Sequence, residues 1–168
     1  MGLLRSAVVG VAAGAVATLA MDLVWYRRFR EGGGDASFSE WALTSSATSF
    51  DEAPAPAQVG KLVVAAAVGV ELPTSSIAAA NTVVHWATGT SWGAVGGVAA
   101  TLIPVPSLAI GVATGAAAWA TSYGALGAVG IYEPITSYDG DTLWKDFSAH
   151  LVFGTTLGVA LTLARCRR

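Results

Sequence analysis

The sequence predicts an all-α membrane protein, with four transmembrane helices arranged as two parallel two-helix repeats plus an interfacial or re-entrant helix. Three observations carry that expectation. Of 168 residues, 54% are hydrophobic and only 12% are Asp, Glu, Lys or Arg, where a soluble domain carries about 25% charged residues. Between Glu71 and Glu133 there is no charged residue, and only one histidine, His85. The helices of a small soluble protein need a solvated face, whereas this stretch is long enough for two spans of about 20 residues each. Finally, a His-centred pattern occurs twice. The length suits one integral domain. A net charge of −2 argues against nucleic acid as a partner. Cys166 is the only cysteine, which excludes an internal disulfide framework and a Cys-based zinc site.

The first span covers about 3–26 and carries only Arg5 and Asp22 as charges. Its start resembles a signal peptide, but its length favours a retained helix. Trp25 and Tyr26 fall where an interfacial aromatic belt belongs, with Arg27, Arg28 and Arg30 directly after. Gly32, Gly33 and Gly34 then break the helix. Residues 27–74 form an extramembrane segment with Pro54 and Pro56, holding a short helix around Phe38–Leu43. Within it, Val59 to Val70 is apolar apart from Lys61. At roughly 12 residues it is too short to span comfortably, so it reads as an interfacial or re-entrant helix.

The second and third spans, about 75–102 and 107–131, are separated by Pro104 and Pro106, which force a tight turn. An acidic loop with Pro134 and Gly140 follows. The fourth span covers about 142–164 and ends at Arg165, Cys166, Arg167 and Arg168. Lys61 and Lys145 are placed to snorkel towards head groups. Cys166 reads as an inert juxtamembrane thiol, with lipidation as the alternative.

Aligning the histidines exposes the duplication. His85-x-x-x-Gly89-Thr90-Ser91-x-Gly93 matches His150-x-x-x-Gly154-Thr155-Thr156-x-Gly158, with Asn81 or Asp146 four residues before each histidine. Gly10-Val-Ala-Ala-Gly14 likewise matches Gly111-Val-Ala-Thr-Gly115. Duplicated units are common in membrane proteins. A two-fold repeat of two spans gives parallel copies and four spans. A fifth span at Val59–Val70 is the alternative, and it would put both arginine clusters on the cytoplasmic side. In the four-span reading both termini are cytoplasmic.

Small residues spaced by four, Gly10/Gly14, Gly89/Gly93/Gly97, Gly111/Gly115 and Gly154/Gly158, cut grooves that let helix backbones approach closely. They serve bundle packing, and some grooves are candidates for a homodimer or a partner membrane subunit beside the lipid bilayer itself.

Ionisable groups at membrane depth are costly and point to function. Here they are Asp22, His85, Asp146 and His150, with Asn81 and Tyr123 as neutral companions. His85 lies about ten residues into its helix and His150 about eight, a depth difference of only about 3 Å at 1.5 Å per residue. Asn81 and Asp146 stand one turn nearer the same mouth. Three readings stay open: helix packing through hydrogen bonds; a ligand or proton site, since His titrates near neutrality; and a haem or transition-metal site ligated by His85 and His150. Trp86 and Trp92 crowd the haem reading, and the spacing is looser than a zinc motif. No cofactor is the leading expectation. No phosphate loop, nucleophile elbow or dinucleotide fingerprint occurs.

Gly130-Ile-Tyr-Glu-Pro134, then Lys145-Asp-Phe-Ser-Ala-His150-Leu-Val-Phe-Gly154, with Asn81-x-x-x-His85, resemble the YagU-like bacterial inner-membrane proteins over Asn81–Gly158. Met21-Asp22 through Arg28, Gln58-Val-Gly60 and Glu71-Leu-Pro73 are similar to uncharacterised actinobacterial proteins of this kind. The resemblance implies a multi-pass protein of the inner (cytoplasmic) membrane with no settled biochemical activity and at most a link to acid tolerance, and supplies no catalytic residues. The expected role is non-enzymatic: binding a ligand, or handling protons or a small solute. The alternatives are a redox or metal-binding membrane protein and a structural subunit of a larger complex.

Overall fold

The computed structural model describes residues 2–166. Its helices are α1 (Leu3–Glu31), α2 (Phe38–Leu43), α3 (Ala55–Val68), α4 (Ile77–Leu102), α5 (Ser107–Ala128) and α6 (Gly140–Cys166), with single 3-10 turns at Thr74–Ser76 and Ile135–Ser137. Among the described residues there is no strand. Arg167 and Arg168 of the basic C-terminus lie outside the described residues.

The helix ends shift from their expected places for local reasons. α1 continues past residue 26 through the arginines, where Arg27 pairs with Glu31 at 2.8 Å one turn on. Gly33, at φ 92°, then turns the chain where a Cβ would be strained. α3 starts at Ala55 rather than Val59, because Pro54 precedes it and Pro56 sits in its first turn, where a missing N–H costs nothing. α5 stops at Ala128 rather than 131: the N–H groups of Ile131 and Tyr132 both turn back to the Leu126 carbonyl, at 2.9 and 3.2 Å. α6 begins at Gly140 because the Asp139 carboxylate accepts from the Thr142 N–H at 2.8 Å and its hydroxyl at 2.9 Å, satisfying a donor of the first turn.

The chain forms two compact units, Met1–Trp25 with Thr88–Arg168, and Tyr26–Ala87. α1 and α4 each contribute a length to both. In the first unit, Ala13, Ala17 and Met21 of α1, Ala100 of α4, Ile110 of α5 and Ala149, Phe153, Leu157 and Leu161 of α6 make one buried cluster. The buried residues of α6 recur every four positions, the spacing that keeps them on one helix face.

Beside this cluster, glycines meet glycines in two antiparallel pairs of helices. Gly10 of α1 faces Gly93 of α4, and a Cβ on Gly14 would lie 2.8 Å from the Gly89 carbonyl oxygen and the Gly93 Cα. Gly97 faces the Ser6 carbonyl and Gly10. In the other pair, Gly111 of α5 faces Gly154 and Gly158 of α6, and a Cβ on Gly115 would lie 2.9 Å from the Gly154 Cα. Each of these positions admits only hydrogen. Hydroxyls at the seams are spent locally: Thr18, Thr114 and Thr162 donate to carbonyls one turn back at 2.7–2.9 Å, and Ser6 Oγ meets Thr101 Oγ1 at 2.8 Å. The Arg165 guanidinium donates to the Ala100 carbonyl.

Among the described residues, α1 and α6 are long and apolar enough to cross a membrane. α4 and α5, with 26 and 22 residues and no charge, are long enough, but their most apolar stretches fall short of those of α1 and α6 in hydropathy. Of the four expected spans, α1 and α6 are thus the two that meet both length and hydropathy.

The second unit is built on Phe50, Ala53, Ala57 and Ile77, with Ala47, Leu72 and Ala80 around them. Tyr26, Phe29, Phe38 and Trp41 form an aromatic group with ring centroids 5.3–6.3 Å apart. The Tyr26 hydroxyl donates to the Ala36 carbonyl at 3.0 Å, and Ser37 caps α2 through the Glu40 N–H. α3 has 14 residues, short of a span, and packs Gly60 on Ala80 and Val84 of α4. Its other side exposes Leu62, Val63 and Val68. Lys61 reaches Asp51 at 3.7 Å and lies 5.7 Å from the Phe50 ring centroid.

Two outcomes follow from this packing. Gly111→Ala places a methyl against the α6 backbone, so thermal unfolding of the purified protein should show a loss of roughly 1–3 kcal/mol, as for other overpacked interiors. Gly124→Ala, with nothing within 4 Å of its new Cβ, should be neutral or slightly stabilising. The two bonds from Thr142 hold the Asp139 carboxyl below the usual carboxylate range. Its contribution is therefore present at neutral pH and lost as pH falls through its lowered pKa. Asp139→Ala should lower the melting temperature at pH 7, and the gap from the parent should close in strong acid.

Candidate functional site

The α5–α6 seam keeps a constant register. Every fourth residue of α5, Gly111, Gly115, Trp119 and Tyr123, runs opposite every fourth residue of α6 in reverse, Gly158, Gly154, His150 and Asp146. The first two rungs are glycine on glycine, and the Gly115 position also meets the His150 backbone carbonyl. Beyond them the side chains become large and polar. The Tyr123 phenol lies beside the Asp146 carboxylate. His150 Nδ1 lies 3.0 Å from the Asp146 carbonyl oxygen and 3.3 Å from its Oδ1. A carbonyl oxygen only accepts, so Nδ1 carries the proton in that bond and a neutral ring would leave Nε2 as an acceptor. Both side chains are largely buried, 17% exposed for His150 and 19% for Asp146.

Aromatic rings surround this chain of polar groups. Trp119 meets Phe147 edge-to-face at 5.0 Å and Tyr123 at a tilt at 5.2 Å, centroid to centroid. From the loop after α5, Tyr132 and Tyr138 close on Tyr123 at 5.1 and 5.5 Å. The Tyr138 hydroxyl accepts from the Glu133 N–H at 3.1 Å, which holds the loop's own ring in place. Burial, then the neighbouring Asp146 charge and Tyr138, push the Tyr132 phenol up to about 12. Lys145, next to Asp146 in sequence, pairs with Asp141 at 2.5 Å. Trp119 Nε1 is buried and has no hydrogen-bond acceptor.

Of the residues singled out from the sequence, Tyr123, Asp146 and His150 come together here. Asp22 is buried in α1 within the same unit, at 8% exposure. Asn81 and His85 are partly buried on α4 in the Tyr26–Ala87 unit. Among the described residues, no group of three or more His, Cys, Asp or Glu side chains converges as a metal-ligand set does. Trp119, Phe147, Tyr132 and Tyr138 escaped the sequence reading. The four-residue step from Gly111 and Gly115 reaches Trp119 and could have found it, whereas the two loop tyrosines carry no periodic signal.

No family model, no curated protein and no solved structure matches the chain.

The raised phenol of Tyr132 has a testable consequence. Between its ordinary value of 10 and about 12 the unfolded chain releases a proton that the folded chain keeps, so stability falls as pH rises through that window. Tyr132→Phe should flatten this alkaline loss when melting temperature is followed from pH 9 to 12.

Proposed function

We propose that the chain is a small, non-enzymatic multi-pass protein of a bacterial cytoplasmic membrane whose Tyr123–Asp146–His150 chain handles protons. The observation that carries the reading is the cluster of phenol, carboxylate and imidazole: His150 Nδ1 lies 3.3 Å from the Asp146 carboxylate on α6, a helix otherwise apolar enough to cross a membrane, and Tyr123 of α5 lies beside that carboxylate. Carboxylate–imidazole chains of this kind form proton relays inside membranes, where an idle ionisable group is expensive. In this reading α4 and α5 also span. Part of what lowers their hydropathy is seam glycines, Gly93, Gly97, Gly111 and Gly115, that meet other helices rather than lipid, as small residues do in membrane bundles.

The two-fold repeat belongs to the same proposal. Gly10 with Gly93 and Gly14 with Gly89 correspond, residue for residue, to Gly111 with Gly158 and Gly115 with Gly154. The same offsets align His85 with His150, Asn81 with Asp146 and Asp22 with Tyr123. α3, too short to span and apolar on its outer side, lies at the bilayer surface in this arrangement. The resemblance to YagU-like proteins points to the same membrane.

The test is proton flux into liposomes that hold the purified protein and a trapped pH-sensitive dye. The parent protein should collapse an imposed pH gradient faster than protein-free vesicles. Asp146→Asn and His150→Ala, inserted at equal amounts, should return the rate to the protein-free level. A parent rate equal to that of empty vesicles would overturn the proposal. Normal flux from both variants, with lowered melting temperatures, would assign the two residues to helix packing instead.

A further inference from the structure

We infer that the α5–α6 seam binds a hydroxyl-type oxygen, from water or from a ligand, between Trp119 Nε1 and His150 Nε2. The inference rests on the proton-handling reading of the Tyr123–Asp146–His150 chain and extends that chain one rung deeper. Trp119 Nε1 is a buried donor without an acceptor, the one such side-chain atom among the described residues. An indole nitrogen only donates, and buried polar groups are found with partners, from protein or from ordered water. In an apolar surrounding the unmet donor is costly, which makes the site one that favours an oxygen.

The register supplies the second partner. Trp119 runs opposite His150, one rung below Tyr123 and Asp146 and one above the glycine contact of Gly115 with Gly154. His150 commits Nδ1 to Asp146, which makes Nε2 the acceptor of the ring in its neutral form. An oxygen on this rung accepts from the indole and donates to the imidazole, which only a group with both capacities, water or an alcohol, can do. A bare carboxylate or phosphate oxygen would satisfy Trp119 alone. Phe147, whose ring centroid lies 5.0 Å from that of Trp119 at an interplanar angle of 66°, offers the competing partner, an N–H···π contact.

The indole N–H itself reads the outcome. In ¹⁵N-labelled protein in lipid nanodiscs, the six tryptophans give six indole signals, and the one lost in Trp119→Phe is assigned to Trp119. It should show a hydrogen-bonded proton shift that moves in His150→Ala. An exchange cross-peak with water identifies water as the oxygen. A hydrogen-bonded shift without that cross-peak, lost when the protein is stripped of lipid and co-purified small molecules, identifies a ligand hydroxyl. A shift that responds to Phe147→Leu but not to His150→Ala, or that lacks hydrogen bonding altogether, overturns the inference. This readout is independent of flux, so the bound oxygen can fail while proton transfer through Asp146 and His150 stands, and the reverse.

Discussion

Everything in the first unit depends on how closely two pairs of helix backbones approach. At Gly10, Gly14, Gly93, Gly111 and Gly154 a methyl group would meet carbonyl oxygens or Cα atoms of the facing helix, so the axes are set by main-chain contact rather than by side-chain volume. Dispersion between backbones is individually weak, but it is summed along the whole seam. In a bilayer it would matter more, because lipid removes the hydrophobic drive between helices and leaves packing and hydrogen bonds to hold them. The larger side chains, Phe153, Leu157 and Leu161 among them, then fill what remains between the pairs.

The polar site is a consequence of the same seam. Two helices held in contact at Gly115 and Gly154 keep their register over the next two turns, so the residues at those rungs are brought opposite one another whether polar or not. There the glycines give way to Trp119 with His150 and Tyr123 with Asp146. Rings close around the polar groups: Phe147 and Trp119 from within the pair, Tyr132 and Tyr138 from the loop. Excluding water strengthens each hydrogen bond inside the enclosure and raises the cost of leaving one unmade. That joins the packing to the chemistry: the imidazole Nδ1 bonds the Asp146 carbonyl, the phenol lies beside the Asp146 carboxylate, and the indole N–H is the buried donor still lacking a partner.

Much of the fold was legible residue by residue. Pro104 and Pro106 divide α4 from α5 and Gly32 to Gly34 end α1, because proline and glycine act on the backbone where they stand. The errors at helix ends were equally local, and came from bonds such as Thr142 to Asp139, which starts α6 two residues earlier than expected. The pairing of Asp146 with His150 was also readable, since a spacing of four puts two side chains on one helix face.

The sequence by itself therefore determined the helices, their order, the glycine faces and the Asp–His pair, all of which arise from interactions within about one turn of chain. Only the tertiary structure decided which glycine face meets which. The antiparallel register follows from that choice, and with it come Tyr123 on Asp146 and the position of Trp119. Tyr132 and Tyr138 are the clearest case. Nothing in their spacing marks them, and they join the site because the turn at Gly130 and the bond from Glu133 to Tyr138 fold the loop back over α5. Such contacts are set by the packing of whole helices, and a linear pattern carries no trace of them until the chain has closed.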